Sequence, residues 1–186
     1  MMASKQRGKQ PVGILVAVFL TLFVCRLCLF FTGVSLRPDP PTAEEAKAFL
    51  TRHRDDIGIV VEYLKDLDQD DASIKYIYNH GTVFYDYVDH DVSSKEVTAS
   101  LRRLWFAGCT TIGKNDNTIS FMIWTHIIYD VDCGIACTID GQGTPKTEFQ
   151  TKLKQIGDGW FYYYDDYEEY RAHPSKYEEN QPWAVP

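Results

Sequence analysis

From Val12 to Leu36 the chain is apolar apart from Thr21, Arg26, Thr32 and Ser35. A run of that length is enough for a helix to cross a hydrocarbon core of about 30 Å. The pattern changes after "RPDPPT", where three prolines stiffen the chain and stop any continuing helix. Ala46, Phe49, Leu50, His53, Ile57, Val60, Val61, Leu64 and Leu67 then recur at helical spacing. With a capping box at Thr42 and Glu45, they predict one amphipathic helix over 43–67. The period next shortens to two in "SIKYIYNHGTVFYDYV", which predicts a β-hairpin turning at Asn79-His80-Gly81.

A second capping box, Ser93 with Glu96, opens another helix. Val92 staples onto Val97, Leu101, Leu104 and Trp105 follow on the same side, Arg102 and Arg103 face the other, and Gly108 supplies the stop. Turn residues divide the remainder into a meander: Cys109 to Lys114, Thr118 to Tyr129, Cys133 to Ile139, Thr147 to Ile156 and Trp160 to Tyr164. Phe149, Leu153 and Ile156 also fit a helical stripe, but the Gly157-Asp158-Gly159 exit favours a hairpin strand.

The expected fold class is α+β: an N-terminal transmembrane helix, then two helices packed on one face of an antiparallel sheet, in the order helix, hairpin, helix, meander. The divisions are a basic cytoplasmic segment (1–11), a transmembrane signal-anchor (12–36), a Pro-rich linker (37–42), an exported domain (43–164) and an acidic tail (165–186).

Charge decides the orientation. The first 37 residues carry Lys5, Arg7, Lys9, Arg26 and Arg37 and no acid, whereas the other 149 hold 14 basic and 26 acidic side chains, a net of −12. Basic residues ahead of a span hold that end in the cytoplasm, so the domain is expected outside, on a single-pass cell-membrane anchor. Arg26 costs roughly 3 kcal/mol at a helix centre, which the flanking Leu, Ile, Val and Phe residues outweigh. A cleaved signal peptide, with Gly33 and Ser35 as the small residues, is the alternative, and it exports the domain equally. A lipoprotein signal is disfavoured by the bulky Val24 before Cys25. A domain of net −12 lacks the cations that displace counterions from phosphate, so no nucleic-acid partner is expected. The membrane is the expected partner, together with a protein, peptide or glycan ligand.

The motifs with chemical content are thin. Cys25 and Cys28 form C-x-x-C inside the apolar run, where they read as apolar filler. Cys133 and Cys137 share a strand parity with Ile135 and Ile139 and are expected in the core, too far apart along one strand to form a disulfide. The series Asp66, Asp68, Asp70 starts like a calcium loop, but Asp71 stands where the turn glycine belongs and Ile77 where the closing glutamate belongs. Asp86, Asp89, His90 and Asp91 are metal-binding types, but they read as a loop leading into a helix. No metal and no cofactor is expected.

Parity on the strands gives one candidate ligand surface. Trp124 and His126 oppose the apolar face of Ile119, Phe121, Ile123 and Ile127, and Trp160, Tyr162 and Tyr164 oppose Phe161 and Tyr163. Phe161 and Tyr163 are expected beneath the helices, with the other five forming a Trp, Tyr and His patch on the far sheet face, suited to stacking on sugars or peptides. The leading reading is a membrane-anchored extracytoplasmic binding or interaction module without a catalytic motif. One alternative is an exported hydrolase or metal-dependent enzyme using His126 and nearby carboxylates such as Asp130 and Asp132, with Cys133. Another is an accessory subunit of a membrane complex, paired through Arg26.

Overall fold

The computed structural model describes residues 39–77, 80–85, 88–126, 130–147, 151–174 and 176, together with Leu20, Thr21 and Val24. The expected membrane span apart from those three residues, Cys25, Cys28 and the end of the acidic tail therefore lie outside the described residues. Among the described residues no helix is long and apolar enough to cross a membrane.

The chain is α+β, with four helices and one antiparallel sheet among the described residues. Helix α1, Ala43–Arg52, opens on the expected capping box: the Thr42 amide donates to Glu45 Oε2 at 2.8 Å and the Glu45 amide to Thr42 Oγ1 at 3.3 Å. The single helix expected over 43–67 is broken. His53 leaves helical geometry at φ −111 and ψ 20, and α2, Arg54–Lys65, starts from its carbonyl. No proline or glycine marks this break. Ile57, Val60, Val61 and Leu64 on α2 are buried at helical spacing.

Strands β1, Asp71–Ile77, and β2, His80–Tyr85, make the expected hairpin; its turn at residues 78 and 79 lies outside the described residues. The expected loop before the second helix contains an edge strand instead, β3, Val88–Asp91. Helix α3, Lys95–Phe106, is capped by Ser94, one residue later than expected, through the Val97 amide at 3.3 Å. It ends as the glycine implies: Gly108 sits at φ 102, and the Cys109 amide bonds back to the Leu104 carbonyl at 2.9 Å.

The meander follows as β4, Thr111–Asn115, β5, Thr118–His126, β6, Val131–Thr138, β7, Lys152–Gly157, and β8, Trp160–Asp166. Part of the expected tail is helix α4, Tyr167–Ala172, capped by Asp166. The sheet order is β3-β2-β1-β4-β5-β6-β8-β7. β7 is thus an outer edge and β8 lies against β6. Both edges carry exposed charge, Asp89 and Asp91 on one and Lys152 and Lys154 on the other, which discourages edge-to-edge association.

Register identifies the two faces. One row crosses all eight strands: His90, Val83, Ile74, Ile112, Phe121, Ile135, Tyr162 and Lys154. Its apolar members pack with Ile57, Val60, Leu64, Val97, Leu101 and Leu104 from the helices in the main core. Lys114 enters this face almost fully buried and donates to the Leu67 carbonyl, tying down the chain after α2.

The row on the other face runs Asp89, Phe84, Ser73, Gly113, Ser120, Ala136, Phe161 and Gln155, with small residues at its centre. Here the described part of the connection from β6 to β7, residues 139–147, acts as a strap. The Lys146 amide donates to Thr118 Oγ1 at 2.8 Å and Thr147 Oγ1 to Asp165 Oδ1 at 2.8 Å. Pro145 on the strap is fully buried, as is Ala136, and Tyr163 retains only 3% exposure.

Candidate functional site

The structure brings the five predicted ligand residues to one face of the sheet, and that face is the helix-bearing one. On β8, Trp160, Tyr162 and Tyr164 pair with Cys137, Ile135 and Cys133. Trp160 and Tyr162 pack against the main core, with the Trp160 ring 5.9 Å from that of Phe121. Phe161 and Tyr163, expected beneath the helices, lie on the strap face.

For Trp124 and His126 the expectation inverted because of a bulge on β5. Met122 opposes Gly134 and Trp124 opposes Cys133, so Ile123 is an extra residue. Beyond it the alternation reverses, carrying Trp124 and His126 to the side of Ile119 and Phe121. Gly134 makes this possible, since a Cβ there would stand 1.9 Å from the Phe121 carbonyl oxygen.

Trp124, Val131 and Cys133 form a second buried cluster, closed by Tyr162 and Tyr164. The His126 ring is 5.8 Å from Trp124, and Lys152 Nζ sits 4.6 Å over the Tyr164 ring. Burial pushes the Tyr162 hydroxyl well above its ordinary range, with further contributions from Cys133, Tyr164 and Glu45, whose place on α1 puts that helix beside the cluster. Trp124 keeps 4% exposure, so its indole is a packing element.

The groups of the hydrolase alternative are separated. His126 pairs with Val131 on the helix face and Cys133 is fully buried on that face, whereas Asp132 pairs with Thr125 on the strap face. Burial raises the Asp132 carboxyl above its usual range despite a hydrogen bond from Thr125. No disulfide joins Cys109, Cys133 and Cys137. Burial raises the Cys137 thiol to about 12 and the Cys109 thiol further, so both stay protonated at neutral pH. The Asp89, His90 and Asp91 group alternates on a strand, and His90 stacks on Tyr85 at 4.0 Å.

An open concavity lies elsewhere. A groove of about 920 Å³ lies between the α1–α2 junction and α3, lined by Arg52, His53 and Asp56 on one wall and by Lys95, Arg102 and Phe106 among others on α3. Arg103 crosses it, donating to Asp56 Oδ1 at 2.6 and 2.8 Å. Burial disfavours the Asp56 charge, but the bonds from Arg103 and Ser100 and the nearby positive charge outweigh it and hold the carboxyl below its usual range. Burial lowers the His53 pKa, which favours a neutral imidazole. Arg52, Lys95 and Arg102 form no ion pair among the described residues. Phe106 is 63% exposed, with the Arg102 guanidinium 5.8 Å from its ring centre.

The sequence pattern places Arg102 on the polar side of α3 and marks no site there. The available signal was Phe106 one helical turn from Arg102, an aromatic on a charged face. Their meeting with Arg52 and His53, some fifty residues away, is a tertiary event. Comparison with known proteins returns no match to a family model, to a curated protein or to a solved structure.

Proposed function

We propose that this chain is a membrane-tethered binding module, displayed outside the cytoplasm on residues 12–36, whose ligand docks in the groove between the α1–α2 junction and α3. The groove carries the reading. It is large enough for a peptide or glycan segment, and it presents Arg52, Lys95 and Arg102 beside an exposed aromatic ring. Arginine and aromatic side chains dominate binding energy at protein surfaces. The tether rests on the acid-free, basic-flanked apolar run at the N-terminus. The aromatic cluster is the second candidate surface, favoured by Lys152 over the Tyr164 ring at its rim.

Two measurements test this. Protease added to intact cells degrades the domain; protection until lysis overturns the orientation. For the site, the full chain in detergent is melted against peptide and glycan panels, since a ligand that binds the folded state raises the melting temperature. Arg102→Glu removes the shift and Tyr164→Ala keeps it; the opposite pattern moves the site to the aromatic cluster.

A further inference from the structure

We infer that the groove's ligand is an acidic peptide segment with an apolar anchor residue, its carboxylates pairing with Arg52, Lys95 and Arg102 and its anchor packing on Phe106. This rests on the docking reading above and adds the ligand's chemistry. The first argument is local charge inversion. Residues 38–186 carry a net of −12, yet the groove gathers Arg52, Lys95, Arg102 and Arg103 against Asp56 alone. Arg103 already neutralises Asp56. The other three cations are therefore available, and a complementary ligand supplies carboxylates.

The second argument is spacing. Lys95 and Arg102 are seven residues apart on α3, which puts them on the same side of the helix and about 10 Å apart along its axis. One small anion such as phosphate cannot bridge that span. Three to four residues of extended peptide, at about 3.3 Å each, can. Phe106 lies one turn beyond Arg102, so an apolar side chain just past the second carboxylate meets an exposed ring with a guanidinium beside it.

The third argument separates a peptide from larger polyanions. An anionic bilayer or a nucleic acid meets the repulsion of the whole acidic domain and presents a broad surface to a concave site. A short segment seated within the groove lies inside the Debye length, about 8 Å at physiological salt, where the local cations prevail.

The test uses the full chain in zwitterionic nanodiscs and a fluorescent peptide with glutamates three and four residues apart followed by tryptophan. A peptide of the same sequence with every glutamate replaced by glutamine is the comparison, and inorganic phosphate and phosphatidylglycerol vesicles are competitors. Saturable anisotropy binding is expected, weakened about tenfold or more in the glutamine peptide and by added salt. Arg102→Glu and Lys95→Glu, both at exposed positions, are each expected to weaken it similarly. Equal binding of both peptides, lost in the two variants, overturns the acidic class and leaves the docking site standing. Displacement by phosphate at low millimolar concentration, or preference for the vesicles, also overturns the peptide assignment. Failure of both peptides to bind, or binding indifferent to both substitutions, overturns the inference and the docking site together.

Discussion

Replacing Gly134 with alanine tests the feature that sorts the whole sheet into faces. A methyl group there would stand 1.9 Å from the Phe121 carbonyl oxygen, 2.9 Å from its carbon and 3.0 Å from a ring atom of Tyr163. The ring could shift, but the carbonyl belongs to the β5 backbone, and Phe121 itself is fully buried. Relief requires β5 to withdraw by more than an ångström beside its bulge, which disturbs the pairing of Phe121 with Ile135 and of Met122 with Gly134. Overpacking of this kind costs about 1 to 3 kcal/mol, and a backbone obstacle belongs at the upper end. Against it stands a gain of about 0.4 to 1 kcal/mol from the stiffer unfolded chain. The net loss is therefore about 2 kcal/mol, or about 4 to 8 °C in melting temperature for a domain of this size. Gly58→Ala is the control: it sits within α2 with nothing within 4 Å of the added methyl, and should gain about 0.5 to 1 kcal/mol. Urea melts of both variants with unchanged slopes give the comparison. A Gly134→Ala protein as stable as the parent would mean that the bulge is absent, and Trp124 would return to the strap face.

Two further outcomes follow from the same geometry. Tyr163→Ala should cost about 3 to 5 kcal/mol, as large core truncations do, because its ring is buried under the strap, while half-buried Phe161→Ala should cost under about 2 kcal/mol; the reverse order in urea melts would put Phe161 beneath the helices. Asp132 gives a pH test: its carboxyl is raised by burial, so the folded chain holds that proton more tightly than the unfolded one, and the resulting stability is full below about pH 4 and lost as pH rises through the higher folded value. Asp132→Asn removes the titration and can still accept from Thr125, so its melting temperature should gain on the parent's as pH rises from 4 to 8; parallel curves would refute the assignment.

Local signals in the sequence were reliable wherever chemistry and position coincide in a few residues. Thr42 with Glu45 starts α1, Gly108 ends α3, and Asp158-Gly159 turns β7 into β8, each through contacts spanning less than two helical turns or one hairpin. The break at His53 was not legible, because Phe49, His53 and Ile57 keep helical spacing through it. The bulge at Ile123 was equally silent, since Met122-Ile123-Trp124 continues a plausible alternation with no glycine on its own strand; the enabling glycine is on β6. That one residue inverted the face assigned to Trp124 and His126. The inversion of β8 has another source. Phe161 lacks a polar atom and so reads as the core residue, but the strap gives the second face a packed interior of its own, in which Tyr163 is buried. The groove depended on α1, α2 and α3 meeting, which no local pattern encodes.

The placement of β8 between β6 and β7 has a consequence for how the chain acquires its structure during synthesis. β6 is buried along nearly its whole length, yet its second neighbour, β8, is synthesised after every other strand of the sheet. Until β8 arrives, β6 presents an apolar edge open to pairing with any other strand. β7 and β8 can form first as a local hairpin, and closing it against β6 then requires the intervening strap to settle over Ala136 and Tyr163. A nascent chain stalled before Trp160 would therefore carry the α1–α3 layer and an adhesive sheet margin at the same time, which makes β8 the element that guards this sheet from aggregation.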